Sequence, residues 1–279
     1  MTASAAALAS GKGHRDENFP VASWILKREH RAPVMAFYHF ARAADDVADN
    51  EAATSAEKLA LLGAMRATLA GTSDVNAEAH ALREVLTAHH LSPQHGLDLL
   101  TAFERDCTAS RYESWDALIG YCRVSAMPVG RYVLDVHGEN RATWGANDAL
   151  CAALQIINHM QDCGKDFRAL NRVYLPLDML AAAGAVVEDL GRDRATPALR
   201  TVIMQMAVRT DTLLADSSAF AAQIRDRRLA AEVAVIHRLA VSLNARLKRL
   251  DPLADRVHHR PHEAAGLAAL AILGQVFRR

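Results

Sequence analysis

Apolar and polar residues recur along this chain with a spacing of three to four, and period-two alternation is scarce. That pattern predicts helices near 33–49, 77–90, 94–110, 114–137, 146–168, 196–222 and 228–249. Short loops such as LSPQHG from Leu91 and HGENRATWG from His137 join them. Pro33 suits a first helical turn, and Ser73 or Asp74 suits the N-cap of the helix that follows. Residues 1–18 read as a flexible arm ending in SGKGHRDEN, and no Pro-, Gly- or Ser-rich linker divides residues 19–279, which read as one all-α domain.

Two of these helices break their own pattern. In LQIINHMQDCGKDFRALNRVYLP, at about 100° per residue, Gln155, Asn158, Asp162 and Asp166 fall within an arc of roughly 80°. In FYHFARAADDVAD, Tyr38, Arg42, Asp45 and Asp49 share a similar arc of roughly 60°, with Asp46 at its flank. Each helix thus carries a DxxxD pair among alanine, valine, isoleucine and methionine, which suggests faces that look inward. Carboxylates four residues apart repel by a few tenths of a kcal/mol in water, and more when part-buried. Arg42 and Arg168 are candidate neutralisers, but hard divalent cations answer the pattern better. Mg²⁺ takes oxygen from one or two carboxylates at a time and completes its shell with water and phosphate. Gln155 and Asn158 add neutral oxygens. Metals held this way against a diphosphate favour ionisation of a carbon–oxygen bond, in a cavity that must otherwise be apolar and dry.

Composition narrows the remaining choices. Thirty-two basic residues balance thirty-two acidic ones, so no overall field favours nucleic acid. Cys107, Cys122, Cys151 and Cys163 show no paired spacing and read as reduced, buried thiols of a cytoplasmic protein. MTASAAALAS lacks the basic and apolar regions of a signal peptide, and no run approaches the ~20 apolar residues of a membrane span. The tail ends in an apolar helix bracketed by arginines. It reads as a last core helix or, alternatively, as one that leans on an anionic membrane surface with Arg278 and Arg279 near the headgroups. His258, His259 and His262 lack a fourth ligand and do not argue for a metal.

At its acidic motifs the chain resembles the squalene and phytoene synthase family. The blocks that carry the likeness are NFPVASWILKREHRAPVMAFYHFARAADDVAD, DCTASRYESWDALIGYC and QIINHMQDCGKDFRALNRVYLP. The resemblance implies an isoprenoid synthase helical bundle, with the two aspartate motifs opposed at the mouth of a central apolar cavity. It also implies two or three Mg²⁺ ions bridging those motifs to diphosphate. Three departures are informative: VSAMPVG from Val124, Gln161 in place of the usual arginine, and Asn18 in place of the usual serine. Together they are similar to the hydroxysqualene synthase branch of bacterial hopanoid pathways. That branch implies presqualene diphosphate as substrate, loss of diphosphate, rearrangement of the cyclopropylcarbinyl cation and capture by water, without NAD(P)H.

On that footing Asp45, Asp49, Asn158 and Asp162 are the expected metal ligands, with Asp46 and Asp166 as further members. Tyr38, Arg42, Gln155, Arg172 and Tyr174 are expected to hold substrate, Tyr121 to orient diphosphate or water, and Phe19, Val129, Leu154 and Ile157 to line the prenyl pocket. Ser125 and Gln161 are the candidates for positioning the captured water. Head-to-head condensation of two farnesyl diphosphates is the alternative within the class. A non-enzymatic assembly protein on the same fold is the alternative outside it, and such relatives tend to lose the aspartates. Other hopanoid-pathway enzymes are expected partners, in the cytoplasm or at the inner face of its membrane.

Overall fold

The computed structural model describes residues 27–277, with side chains through Ile272. The arm 1–18, Phe19, Arg278 and Arg279 lie outside the described residues. Twelve α-helices follow one another among those described. They are α1 (Arg28–Asp49), α2 (Ser55–Leu69), α3 (Ala77–Ala88), α4 (Gln94–Asp106), α5 (Trp115–Ser125), α6 (Met127–Val136), α7 (Trp144–Leu170), α8 (Leu177–Ala183), α9 (Pro197–Asp216), α10 (Phe220–Gln223), α11 (Arg227–Leu247) and α12 (Pro261–Phe277). Short 3₁₀ turns occupy Arg141–Thr143 and Val187–Gly191. No strand occurs among the described residues; one isolated parallel bridge joins Arg111 to Val173.

Several boundaries differ from those the periodicity predicts, each for a local reason. The first helix starts at Arg28 and carries Pro33 in its interior, where the ring removes a single backbone donor one turn in. Thr54 and Glu57 close a capping box that starts α2. Asn76, rather than Ser73 or Asp74, caps α3 by accepting from Ala79 N at 2.8 Å. The expected single helix over 114–137 is two, because Pro128 at the start of α6 has no N–H with which to continue the ladder of α5.

The described residues separate into two compact units. The first ends at Ala109 and resumes over Val124–Asn140; the second comprises Ser110–Arg123 and the chain from Arg141. In the first, Phe37, Phe40, Ala44 and Val47 of α1 pack on Leu62, Met65 and Leu69 of α2, Leu82 and Leu86 of α3 and Leu99 and Leu100 of α4. Tyr132 of α6 stacks on Phe37 at 4.2 Å and donates its hydroxyl to Pro33 O at 3.0 Å. At Gly96 α4 packs closely against this core, since a Cβ there would lie 2.7 Å from Leu69 Cδ2. In the second unit α7 packs on α9 and α11, and α12 packs on α11. Gly164 continues α7 without a break: Leu253 closes over it, 2.5 Å from where a Cβ would stand.

Candidate active site

Each acidic stripe is turned away from the core of its own unit, yet stays half-buried. On α1 the core positions Phe37, Phe40 and Val47 lie roughly opposite Tyr38, Arg42, Asp45 and Asp49 by helical register. On α7 the fully buried Ile156, Ile157 and Met160 likewise leave Gln155, Asn158, Asp162 and Asp166 on the other side. The inward look suggested by the apolar neighbours therefore does not hold within either unit. Those neighbours fill the core side of the same helices.

Arg42 reaches forward one turn and divides its guanidinium between two carboxylates. It pairs with Asp45 Oδ2 at 2.9 Å and with Asp46 Oδ1 at 2.8 Å. Asp46 is only 8% exposed, and the pairing keeps a charge there tolerable, whereas Asp45 retains 35% exposure. Arg42 thus offsets part of the local repulsion, as its alternative role requires. Arg168 does not serve that role in the second motif; its Nη1 donates to Leu190 O at 3.5 Å.

The second stripe gains a wall that the sequence did not reveal. Asn171, in the left-handed region at φ 50°, ends α7, with its N–H on Phe167 O at 3.0 Å. The chain then runs back beside Ser110–Glu113: Val173 N donates to Ser110 O at 2.9 Å and Leu177 N to Tyr112 O at 2.9 Å. Arg111 fixes this crossing by donating to Asn171 Oδ1 at 2.7 Å and to the Asn171 carbonyl. The register brings Tyr112, Tyr121 and Tyr174 within 5.2–5.8 Å of one another, all three buried. His159 stacks on Tyr174 at 3.6 Å and 11°.

His159 is the residue that sequence reasoning missed. At about 40° from Gln155 it continues the polar stripe of α7, a signal present in the helical register but not in the pattern of carboxylates and amides. Its Nε2 is buried without a hydrogen-bond partner among the described residues. Burial, reinforced by the charge of Arg172, pushes the imidazole down to about 3, so it is neutral at pH 7. The unfolded chain takes up a proton on His159 below about pH 6.5 and the folded one does not, so acid costs the native state about 1.4 kcal/mol per unit until pH ~3. Thermal unfolding with chelator present should therefore show a midpoint that falls between pH 7 and pH 5, and a smaller fall in His159→Phe. An equal fall in both would remove His159 as the cause.

The other expected site residues are placed as follows. Tyr38 and Arg172 are half-buried, Leu154 is half-buried and Ile157 fully buried on α7, and Ser125 is buried at the end of α5. Val129 stands 40% exposed on α6. Gln161 is 6% exposed and lies about 100° off Asp162, away from the stripe. Both polar atoms of its carboxamide are buried without a partner among the described residues. Cys122 and Cys163 are buried thiols pushed up to about 12, whereas Cys107 and Cys151 are only half-buried; none of the four is joined in a disulfide among the described residues. His259, from the histidine group in the tail, is engaged by Ser242 Oγ at 2.9 Å.

Among the described residues no three His, Cys, Asp or Glu side chains converge as a ready-made metal cluster. The donors suit a hard cation nonetheless. Asn158, Asp162, Asp166 and Gln155 are half-buried oxygen donors on one helix face, and a cation that completes its shell with water and phosphate needs only one or two of them.

The squalene/phytoene synthase family model matches residues 13–263, which span both units. This chain belongs to the squalene/phytoene synthase family. It is 56% identical over 275 residues to a hydroxysqualene synthase of Zymomonas mobilis, covering 98% of this chain and 93% of that one. A hydroxysqualene synthase of Rhodopseudomonas palustris is 53% identical over 276 residues, covering 99% and 94%. The crystal structure of squalene synthase HpnC from Alicyclobacillus acidocaldarius superposes with a TM-score of 0.72 at 31% identity, covering 82% of this chain and 87% of that one. The all-α isoprenoid synthase fold and membership of an enzyme family follow.

Proposed function

We propose that this chain is a hydroxysqualene synthase, a carbon–oxygen lyase that converts presqualene diphosphate and water to hydroxysqualene and diphosphate. The observation that carries the reading is identity of 53–56% to two hydroxysqualene synthases across at least 98% of the chain. Asp45, Asp46 and Asp49 of α1, and Asn158, Asp162 and Asp166 of α7, are proposed to hold Mg²⁺. When bound, the ion supplies Lewis-acid stabilisation to the charge gathering on the departing diphosphate.

The chain's own side chains account for the rest of the proposal. Arg42 and Arg172 donate to diphosphate oxygens, which carry off the electron pair of the breaking carbon–oxygen bond. The mutually stacked rings of Tyr112, Tyr174 and a neutral His159, with Tyr121 beside them, are proposed to border the carbocation as a polarisable aromatic wall that adds no competing positive charge. Water then adds to the rearranged cation and loses a proton to diphosphate, so no reductant and no NAD(P)H enters. Turnover of presqualene diphosphate with Mg²⁺, and none of farnesyl diphosphate alone, is the expected outcome with purified protein. Product from farnesyl diphosphate alone would favour the condensing alternative.

Gln161 gives the proposal its sharpest residue. A buried carboxamide with no partner costs about 1–3 kcal/mol, which a purely structural position would shed. In the proposed reaction it accepts a hydrogen bond from the incoming water. Gln161→Met, close in volume, is expected to melt at the same or a higher temperature while hydroxysqualene falls at least about tenfold, with elimination products in its place. Lower stability with unchanged product would assign Gln161 a structural role only.

A further inference from the structure

The last fifth of the chain has a character of its own. Between Arg225 and Arg279 there are eleven lysines and arginines against five aspartates and glutamates, in a chain of zero formal charge. Within it, Ala264–Phe277 contains no charged residue and a single polar one, Gln275. An apolar helix of this kind normally buries one face in a core, but α12 has no buried residue among its described side chains. Ala264, Leu267, Ala268 and Ala271 are half-covered by α11, while Ala265, Gly266, Ala269, Leu270 and Ile272 face outward. Leu270 is 56% and Ile272 39% exposed.

The connection into α12 is anchored firmly. Arg246 pairs with Glu263 at 2.9 Å and donates to His258 O at 3.3 Å, and His259 Nε2 meets Ser242 Oγ at 2.9 Å. That anchorage places α12 beside the outer face of α11, because Ser242 and Arg246 border a row made of Arg227, Ala231, Ala234, Arg238, Val241, Ala245 and Arg249. The row contains arginine, alanine and valine and no carboxylate. Arg227, Arg238 and Arg249 are exposed, as is Arg228 beside them, and none joins an ion pair among the described residues.

We propose that α12, with the adjoining arginine row of α11, is an anionic membrane-binding surface. The outward apolar residues enter the acyl boundary of one leaflet, and the arginines meet lipid phosphates and acidic headgroups. No helix among the described residues is long and apolar enough to cross a membrane, so the attachment is to one face. The unpaired arginines select this occupant. A second copy of the same face would set arginine rows against each other and repel.

Co-sedimentation of the whole protein with vesicles tests this. Pelleting is expected with phosphatidylcholine containing about 30 mol% phosphatidylglycerol, with little on phosphatidylcholine alone and release at high salt. The double substitution Leu270→Asp, Ile272→Asp is expected to cut binding at least about tenfold. Arg238→Glu with Arg249→Glu should cut it by a similar factor and remove its salt dependence. Both sites are on the surface, so circular dichroism and turnover of micellar substrate should match the parent. Protein that stays in solution with anionic vesicles overturns the proposal, as does equal binding by either double variant. A dimer dispersed by Leu270→Asp, Ile272→Asp without change in vesicle binding assigns the face to a second copy and likewise overturns it.

Discussion

Asp162→Asn is expected to lower turnover of presqualene diphosphate by about a thousandfold or more while leaving the fold intact. Asparagine keeps the size and hydrogen-bonding reach of the side chain and removes only the charge. On α7 the change also relieves repulsion between Asp162 and Asp166, so stability should hold or rise slightly, by about a few tenths of a kcal/mol, and the melting temperature should not fall. Asp45→Asn should behave alike in activity. Its stability should barely move, because Arg42 keeps its second partner, the buried Asp46, at 2.8 Å. Raising Mg²⁺ should recover part of the activity of either variant if the lost charge held a cation. Full activity in Asp162→Asn at ordinary Mg²⁺ would remove the acidic stripe from the chemistry.

The largest expected loss of stability comes from a position with no chemistry. Phe40 is fully buried on α1, 6.5 Å from the Phe37 ring and among the leucines of α2, α3 and α4. Phe40→Ala should cost about 3–5 kcal/mol, the transfer free energy of the ring together with the cavity left behind. For a chain of this size that lowers the melting temperature by roughly 10 °C. The neighbours cannot close the gap cheaply, since Gly96, Leu69 and Leu82 already meet at close range on that side. Phe40→Leu should lose far less, and its residual activity at low temperature should match the parent. A melting temperature unchanged in Phe40→Ala would contradict the core described for this unit.

Much of this is legible in the sequence, because it is carried by short-range periodicity. The stripes of Asp45 with Asp49 and of Asn158 with Asp162 are consequences of 3.6 residues per turn, and they lie on α1 and α7 as that arithmetic requires. What escaped depends on contacts distant in sequence or on backbone chemistry that outweighs pattern. The split of α5 from α6 at Pro128 interrupts an otherwise continuous helical pattern. The pairing of Ser110–Glu113 with the segment after Asn171 joins residues some sixty positions apart, and from it come the tyrosine cluster and the stacking of Tyr174 on His159. Arg42 shows the intermediate case: local spacing put Asp45 and Asp46 within its reach, but only the structure shows it serving both.

The central claim is that water ends the reaction. Turnover of presqualene diphosphate by the Mg²⁺-loaded protein in ¹⁸O-enriched water, followed by mass spectrometry of the C30 alcohol, addresses it directly. Hydroxysqualene heavier by one ¹⁸O atom in proportion to solvent enrichment is the predicted result. An unlabelled alcohol, or squalene formed only when a nicotinamide reductant is supplied, would contradict it.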